Sequence, residues 1–195
     1  MVDRSEAYRL VTEMIQNQNL RRHALAVEAI MRDLCLYLKG KYPEADQSEF
    51  NTDEWGMVGL LHDADYELVE KDPKRHTLVT EEKLRPLGVS DRIIDAIKAH
   101  HDGIKLGRDN FLERGIYAVD ELSGLITAVT LVRPDKKLSS VTASSVMKKF
   151  KEKTFAAGAN REQIQACETE LGIPLIDFVE LALGSMQKIS DQLGL

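Results

Sequence analysis

The sequence predicts an all-α fold, and three observations carry that prediction. Apolar residues recur at three- and four-residue steps through most of the chain. No stretch alternates strictly in the manner of a half-buried strand, and none repeats at a fixed period. Capping residues open the periodic stretches, and glycine or proline closes them. A chain of 195 residues, 43% hydrophobic and 30% charged, can bury a substantial core, so the expectation is one domain, a bundle of about eight or nine helices.

The first helix is expected over about 5–17, with Ala7, Leu10, Val11, Met14 and Ile15 on its apolar face. The second starts near Gln18. Its stripe of Leu20, His23, Ala24, Val27, Ile30, Met31, Leu34 and Leu38 puts His23 on the inward side, and Gly40 is the expected stop. Residues 42–51 are polar and contain Pro43, so they read as a loop. Thr52 is the expected cap of a third helix, with Asp53 and Glu54 in its first turn. That helix is the apolar run 55–61, and it delivers His62-Asp63 at its far end.

A charged loop over 69–75 leads to His76 at the start of the next helix. Gly88 and Val89 separate it from one capped by Ser90, whose Ile93, Ile94 and Ile97 lead to His100-His101. Asn110 with Glu113 resembles a capping box. It opens a long apolar helix that contains Asp120 and ends at Arg133-Pro134. Beyond it lie a short amphipathic helix over about 139–153 with a basic face, another capped near Asn160, and a last over 175–193. This extension, about 134–195, holds no histidine. It reads as packing that completes a core over about 18–133.

Net charge is −6 and the isoelectric point about 5.4, which argues against a nucleic-acid binder. The basic run 148–153 is better read as a solvated helix face. Cys35 and Cys167 lack metal-site spacing and read as buried thiols in a reducing compartment. The N-terminus has no basic-then-apolar signal pattern, and no apolar run reaches the length of a membrane span. A cytoplasmic protein with no membrane or nucleic-acid partner is expected.

All five histidines fall between residues 23 and 101. A single histidine on an apolar face is usually a satisfied core residue, and a single acid in a helix is usually solvated. Several such groups turned inward together each need a buried partner, which makes a shared site the better explanation. Imidazole with carboxylate suits Mn, Fe, Co, Ni or Zn better than Ca, with Mg still compatible. A carboxylate beside a histidine can bridge two ions while the histidine holds one, and two ions can clamp a phosphoryl group.

The order His23, His62-Asp63, Asp120, in the contexts Gly-Leu-Leu-His-Asp and Ala-Val-Asp-Glu-Leu, resembles the HD-domain superfamily of metal-dependent phosphohydrolases. The resemblance spans about 18–133 and is nearest to a subgroup of predicted hydrolases with no named substrate. It implies an HD-domain-like helical bundle with a C-terminal helical extension. It implies His23, His62, Asp63 and Asp120 around a first divalent transition metal, with Asp63 bridging and catalytic. His76, His100 and His101 would serve a second ion, so one or two ions are expected; His101 is also readable as a group that supports a ligand or faces substrate, and His76 as a helix-start residue that faces solvent. Arg133, at the end of the Asp120 helix, is the expected substrate-binding cation, ahead of Arg21, Arg22, Arg75, Lys136 and Lys137.

The resemblance further implies hydrolysis of a small phosphate ester, a nucleotide in particular, by metal-activated hydroxide. The same ligand set permits a di-iron HD-fold oxygenase, or a non-catalytic metal- or nucleotide-binding regulatory module. The Gly-Tyr-Pro motif that follows the paired histidines in cyclic-dinucleotide phosphodiesterases is replaced here by Asp102-Gly103-Ile104-Lys105. The Glu-Asp pair of the alarmone hydrolases is also missing. Ala64-Asp65-Tyr66-Glu67 stands there instead and reads as a solvated acidic turn.

Overall fold

A computed structural model describes residues 2–105 and 107–195. Among the described residues there are ten α-helices and no β-strand. In chain order they are α1 Arg4–Met14, α2 Gln18–Lys41, α3 Thr52–Leu61, α4 Leu78–Leu84, α5 Asp91–Lys98, α6 Phe111–Leu131, α7 Ala143–Lys151, α8 Arg161–Glu170, α9 Leu175–Lys188 and α10 Ser190–Leu193. None of the described helices is long and apolar enough to cross a membrane.

Several boundaries differ from expectation for local reasons. Gly40 does not take a left-handed conformation, and α2 runs through it to Lys41. The stop is Pro43, which drives the preceding Tyr42 out of the helical region, to φ −120° and ψ 65°. Asn51, not Thr52, caps α3, with Oδ1 accepting the backbone N–H groups of Asp53 and Glu54. Thr142 caps α7 through a reciprocal box with Ser145, so that helix starts four residues late. The last predicted helix breaks at Ile189 (φ −120°, ψ 20°), which yields α10 as a tenth element.

The core runs through the middle of the bundle. α2 and α3 pack closely because Gly59 faces the α2 backbone. A Cβ there would lie 2.9 Å from both the Glu28 Cα and the Val27 carbonyl carbon. That close approach sets the start of α2 against the end of α3. α6 crosses both at Gly115, where a Cβ would meet the buried Trp55 ring at 2.9 Å. α8 packs on α6, and α9 packs on α2 and α6. Their buried residues, among them Ile164, Cys167, Phe178, Val179 and Met186, join the same apolar cluster as Val27, Ile30, Leu34 and Ile116.

Candidate metal centre

Five elements bring one face of each candidate residue to a common point. His23 comes from the first turns of α2, His62-Asp63 directly follow α3, and Asp120 lies in mid-α6. His76 precedes α4, and His100-His101 follow α5. His62 is fully buried, and His76, His100 and Asp63 are nearly so. His23 Nε2 lies 3.1 Å from His62 Nε2 and 3.0 Å from Asp120 Oδ1, and His62 Nε2 is 3.5 Å from Asp120 Oδ1. Asp63 Oδ2 is 3.7 Å from the Nε2 atoms of both His23 and His62. Its other oxygen, Oδ1, is 3.0 Å from His76 Nε2 and 3.5 Å from His100 Nε2, and those two nitrogens are 3.0 Å apart.

Hydrogen bonds on the far side of four rings assign their tautomers. His62 Nδ1–H donates to Gly59 O at 2.8 Å, and His100 Nδ1–H to Ile97 O at 2.5 Å. His76 Nδ1–H donates to Asp65 Oδ1 at 2.7 Å. Ser123 Oγ donates to Asp120 O, so it accepts the Nδ1–H of His23 at 2.9 Å. In the neutral rings all four Nε2 atoms carry lone pairs turned toward one another, and the added proton of His62 or His76 goes to Nε2. The pairs at 3.1 Å and 3.0 Å need either a shared proton or a metal ion between their lone pairs. Two ligand atoms each about 2.1 Å from one ion stand about 3.0–3.4 Å apart at octahedral to tetrahedral angles. The closest pairs in each nest, 3.0–3.1 Å, fall in that range. The donor set thus fits a divalent transition metal, and two groups could hold an ion: His23, His62 and Asp63, and His76, His100 and His101.

His101 differs from the other four. It offers a ligand atom within 4.8 Å of those of His76 and His100. Yet its Nδ1 accepts the Gly103 N–H at 2.9 Å, so the neutral ring carries its proton on Nε2, which is buried without a partner. Proximity favours a ligand; the tautomer favours a donor. In this tautomer Nε2 has a proton to give and no lone pair.

Charge in the site is strongly shifted. Burial opposes the imidazolium of His62, but Asp63 and Asp120 outweigh it and hold its pKa at about 9. His76 is likewise held at about 9, burial being outweighed by Asp63 and Asp65. Burial would raise Asp63, yet His62, His100 and His76 hold it well below the usual carboxylate range. Asp120 is lowered too, with His23 and His62 overcoming burial. Burial, with His100 and His76 beside it, drops His101 to about 4. Glu121, beside Asp120, is pushed up to about 7 by burial and then by that neighbour.

His23, His76, His100, His101, Asp63 and Asp120 open on a cavity of about 470 Å³, within the range of small-molecule sites, about 300–1,000 Å³. Arg133 is not in it. It stands thirteen residues beyond Asp120, about 20 Å at helical rise, and donates to Ser140 Oγ at 3.3 Å. Arg21 is turned to the carbonyls of Ile15 and Thr12. Arg22, Arg75, Lys136 and Lys137 do not line the cavity either. The lysine that does is Lys71, with Tyr66 beside it. A separate concavity of about 410 Å³ holds Arg4 and Arg32, but both are paired with Glu28, and Arg32 with Asp53 as well.

The 65–67 turn is not a solvated acidic one. Asp65 is fully buried and also accepts the N–H groups of Thr77 and Thr80, capping α4 where left-handed Thr77 does not. Glu67 accepts the Gln16 and Asn17 N–H groups and ties this turn to the α1–α2 junction. The C-terminal extension contributes to the site as well. Gln163 of α8 lines the cavity and donates to His100 O at 3.0 Å and Tyr117 O at 2.8 Å, and Asn160 N–H donates to Glu121 Oε2.

An all-helical scaffold that turns one carboxylate toward two histidine nests is an arrangement that could hold metal ions. The family model for the HD domain matches residues 20–125, more than half of the chain and all seven candidate ligands. The chain belongs to the HD domain family, whose members are in general metal-dependent hydrolases. No curated protein and no solved structure gives a significant match.

Proposed function

We propose that this protein is a metal-dependent phosphohydrolase acting on a small phosphate ester, a nucleotide in particular. The observation that carries the reading is the division of Asp63: Oδ2 turns to His23 and His62, Oδ1 to His76 and His100. A carboxylate so divided is suited to hold two ions at once. His23, His62, Asp63 and Asp120 would hold one, and Asp63, His76 and His100 the other. Bound divalent ions acidify water and offset charge on the oxygens of a transferring phosphoryl group.

The chain's own residues account for the rest. Gly59 O, Ser123 Oγ, Asp65 and Ile97 O fix four rings with Nε2 inward, so no reorientation is needed on binding. His101 keeps its proton on Nε2 and serves as a neutral donor to a phosphate oxygen at the edge of the second nest. The cavity has room for a mononucleotide-sized ligand and is lined by Tyr66, Lys71 and Pro73 and by Gly158 and Gln163.

The test is release of inorganic phosphate from a panel of nucleotides and sugar phosphates, with and without added Mn under anaerobic conditions. The reading expects metal-dependent release from at least one ester without oxygen. A colour change with iron, and turnover only with oxygen, would instead indicate the oxygenase chemistry open to the same ligand set. Binding of nucleotides without turnover on any ester would indicate a regulatory module.

A further inference from the structure

We infer that Lys71 is the anchor for the substrate's phosphate at the mouth of the metal centre, an inference that rests on the phosphohydrolase reading. The cavity is lined by three carboxylates, Asp63, Asp120 and Glu121, and Lys71 is the one lysine or arginine among its described lining residues. The ions would offset Asp63 and Asp120, and a cation on the lining adds a direct contact for a dianionic ester beside Glu121.

Among the described residues Lys71, like Arg22 and Arg75, has no carboxylate within ion-pair distance, and of these three it alone lines the cavity. Lys98 and Lys105 are held by Glu81 and Glu113 at 2.6 Å and 2.7 Å, and Arg108 is held by Asp102. Among the described residues no carboxylate pairs with Lys71. Its Nζ rests 5.7 Å from the Tyr66 ring centroid, and the Tyr66 ring stands edge-on to His76 at 5.1 Å. The lysine is thus tethered beside the second nest with its charge unneutralised.

The backbone carries a second sign. The turns that follow α3 end with Lys71 N–H donating to Tyr66 O at 3.1 Å. To close that way, Glu70 and Lys71 both take left-handed conformations, φ 53° and φ 64°. Glycine is the residue such positions favour, since side chains there are strained. The chain keeps a lysine in a strained conformation, and the cavity is where its side chain lies. Glu70 shares that conformation without lining the cavity, so the strain supports the assignment only together with the placement of the Lys71 side chain.

An anchor that holds the ester before and during the reaction contributes equally to ground and transition states. Its loss should raise KM and leave kcat almost unchanged. The experiment measures binding of inorganic phosphate to the Mn-loaded protein by calorimetry, for wild type, Lys71→Met, Lys71→Arg and Lys71→Gly, with metal content determined on each. Loss of one charge-assisted contact at an exposed rim should weaken phosphate binding about 10-fold in Lys71→Met, and Lys71→Arg should recover most of it. Lys71→Gly should weaken phosphate equally while raising the melting temperature, because the strain is relieved. Metal content should not change in any variant. Unchanged phosphate affinity in Lys71→Met, with wild type binding phosphate, overturns the anchor alone. Failure of the Mn-loaded wild type to bind phosphate overturns the phosphohydrolase reading and the anchor with it.

Discussion

Asp65 accepts the Nδ1–H of His76 at 2.7 Å, and that bond leaves Nε2 of the ring free to face Asp63. The same buried carboxylate caps α4 through Thr77 and Thr80. Asp65→Ala should therefore weaken metal binding at the second nest about 10–100-fold and destabilise the fold by about 1–2 kcal/mol. The first nest, built by His23, His62 and Asp120, should keep its affinity. Metal titration followed by thermal melts reads both effects. Equal loss at both nests would mean that Asp65 supports the fold and not His76.

His76 and His101 should behave differently on truncation. His76→Ala removes an inward lone pair and should cost one equivalent of metal per chain. His101→Ala removes an Nε2–H donor and should leave metal content intact while lowering kcat about 10²-fold. Elemental analysis of the two variants decides the matter, and loss of metal from His101→Ala would show it to be a ligand.

The metal-free protein should be most stable over about pH 4.5–6.5, where the loss from Glu121, raised to about 7, offsets the gain from His101, and should decline on the alkaline side. His62 and His76 have pKa values raised to about 9, so their contribution is complete below pH 6.5 and is lost as pH rises through about 9. His101 is lowered to about 4, so its contribution is complete above pH 6.5 and is lost as pH falls toward 4. Asp63 and Asp120, both depressed below 3.8, add to the loss at the acid end. Bound metal takes the Nε2 lone pairs in place of protons, so the alkaline decline should vanish in the loaded protein and metal affinity should rise over the same interval. Melting temperatures of both forms across that span check the sign. A metal-free protein that stabilises steadily up to pH 9 contradicts it.

Gly59→Ala should separate α2 from α3. A Cβ at 2.9 Å from the Glu28 and Val27 backbones cannot be relieved by a side-chain rotation. The expected cost is about 1–3 kcal/mol. Because His23 and His62 approach across this same interface, the first nest should lose metal affinity more than the second. Chemical denaturation and metal titration of the variant test both parts.

Periodicity places His23 on an inward stripe, His62-Asp63 at the end of an apolar helix and Asp120 within another, and the resemblance to the HD domain is what joins them as one candidate ligand set. What could not be read depends on groups brought in from elsewhere. The tautomer of His101 follows from a backbone N–H two residues on, and the role of Asp65 follows from His76 folding back over eleven residues. Arg133 was favoured as the terminus of the Asp120 helix, but helical rise carries it away from the site. Lys71 lay in a charged loop whose backbone path no periodicity describes. The extension looked like packing because it holds no histidine; Gln163 reaches the centre through the carbonyls of His100 and Tyr117, which sequence pattern does not reveal.

The bridging role of Asp63 is tested most directly by elemental analysis and phosphate release on wild type and Asp63→Ala, purified side by side. Wild type should carry two equivalents of a divalent transition metal per chain and turn over a phosphate ester. In Asp63→Ala both nests lose a ligand, so both the metal and the turnover should fall away. Full metal content and undiminished turnover in Asp63→Ala would contradict the bridge.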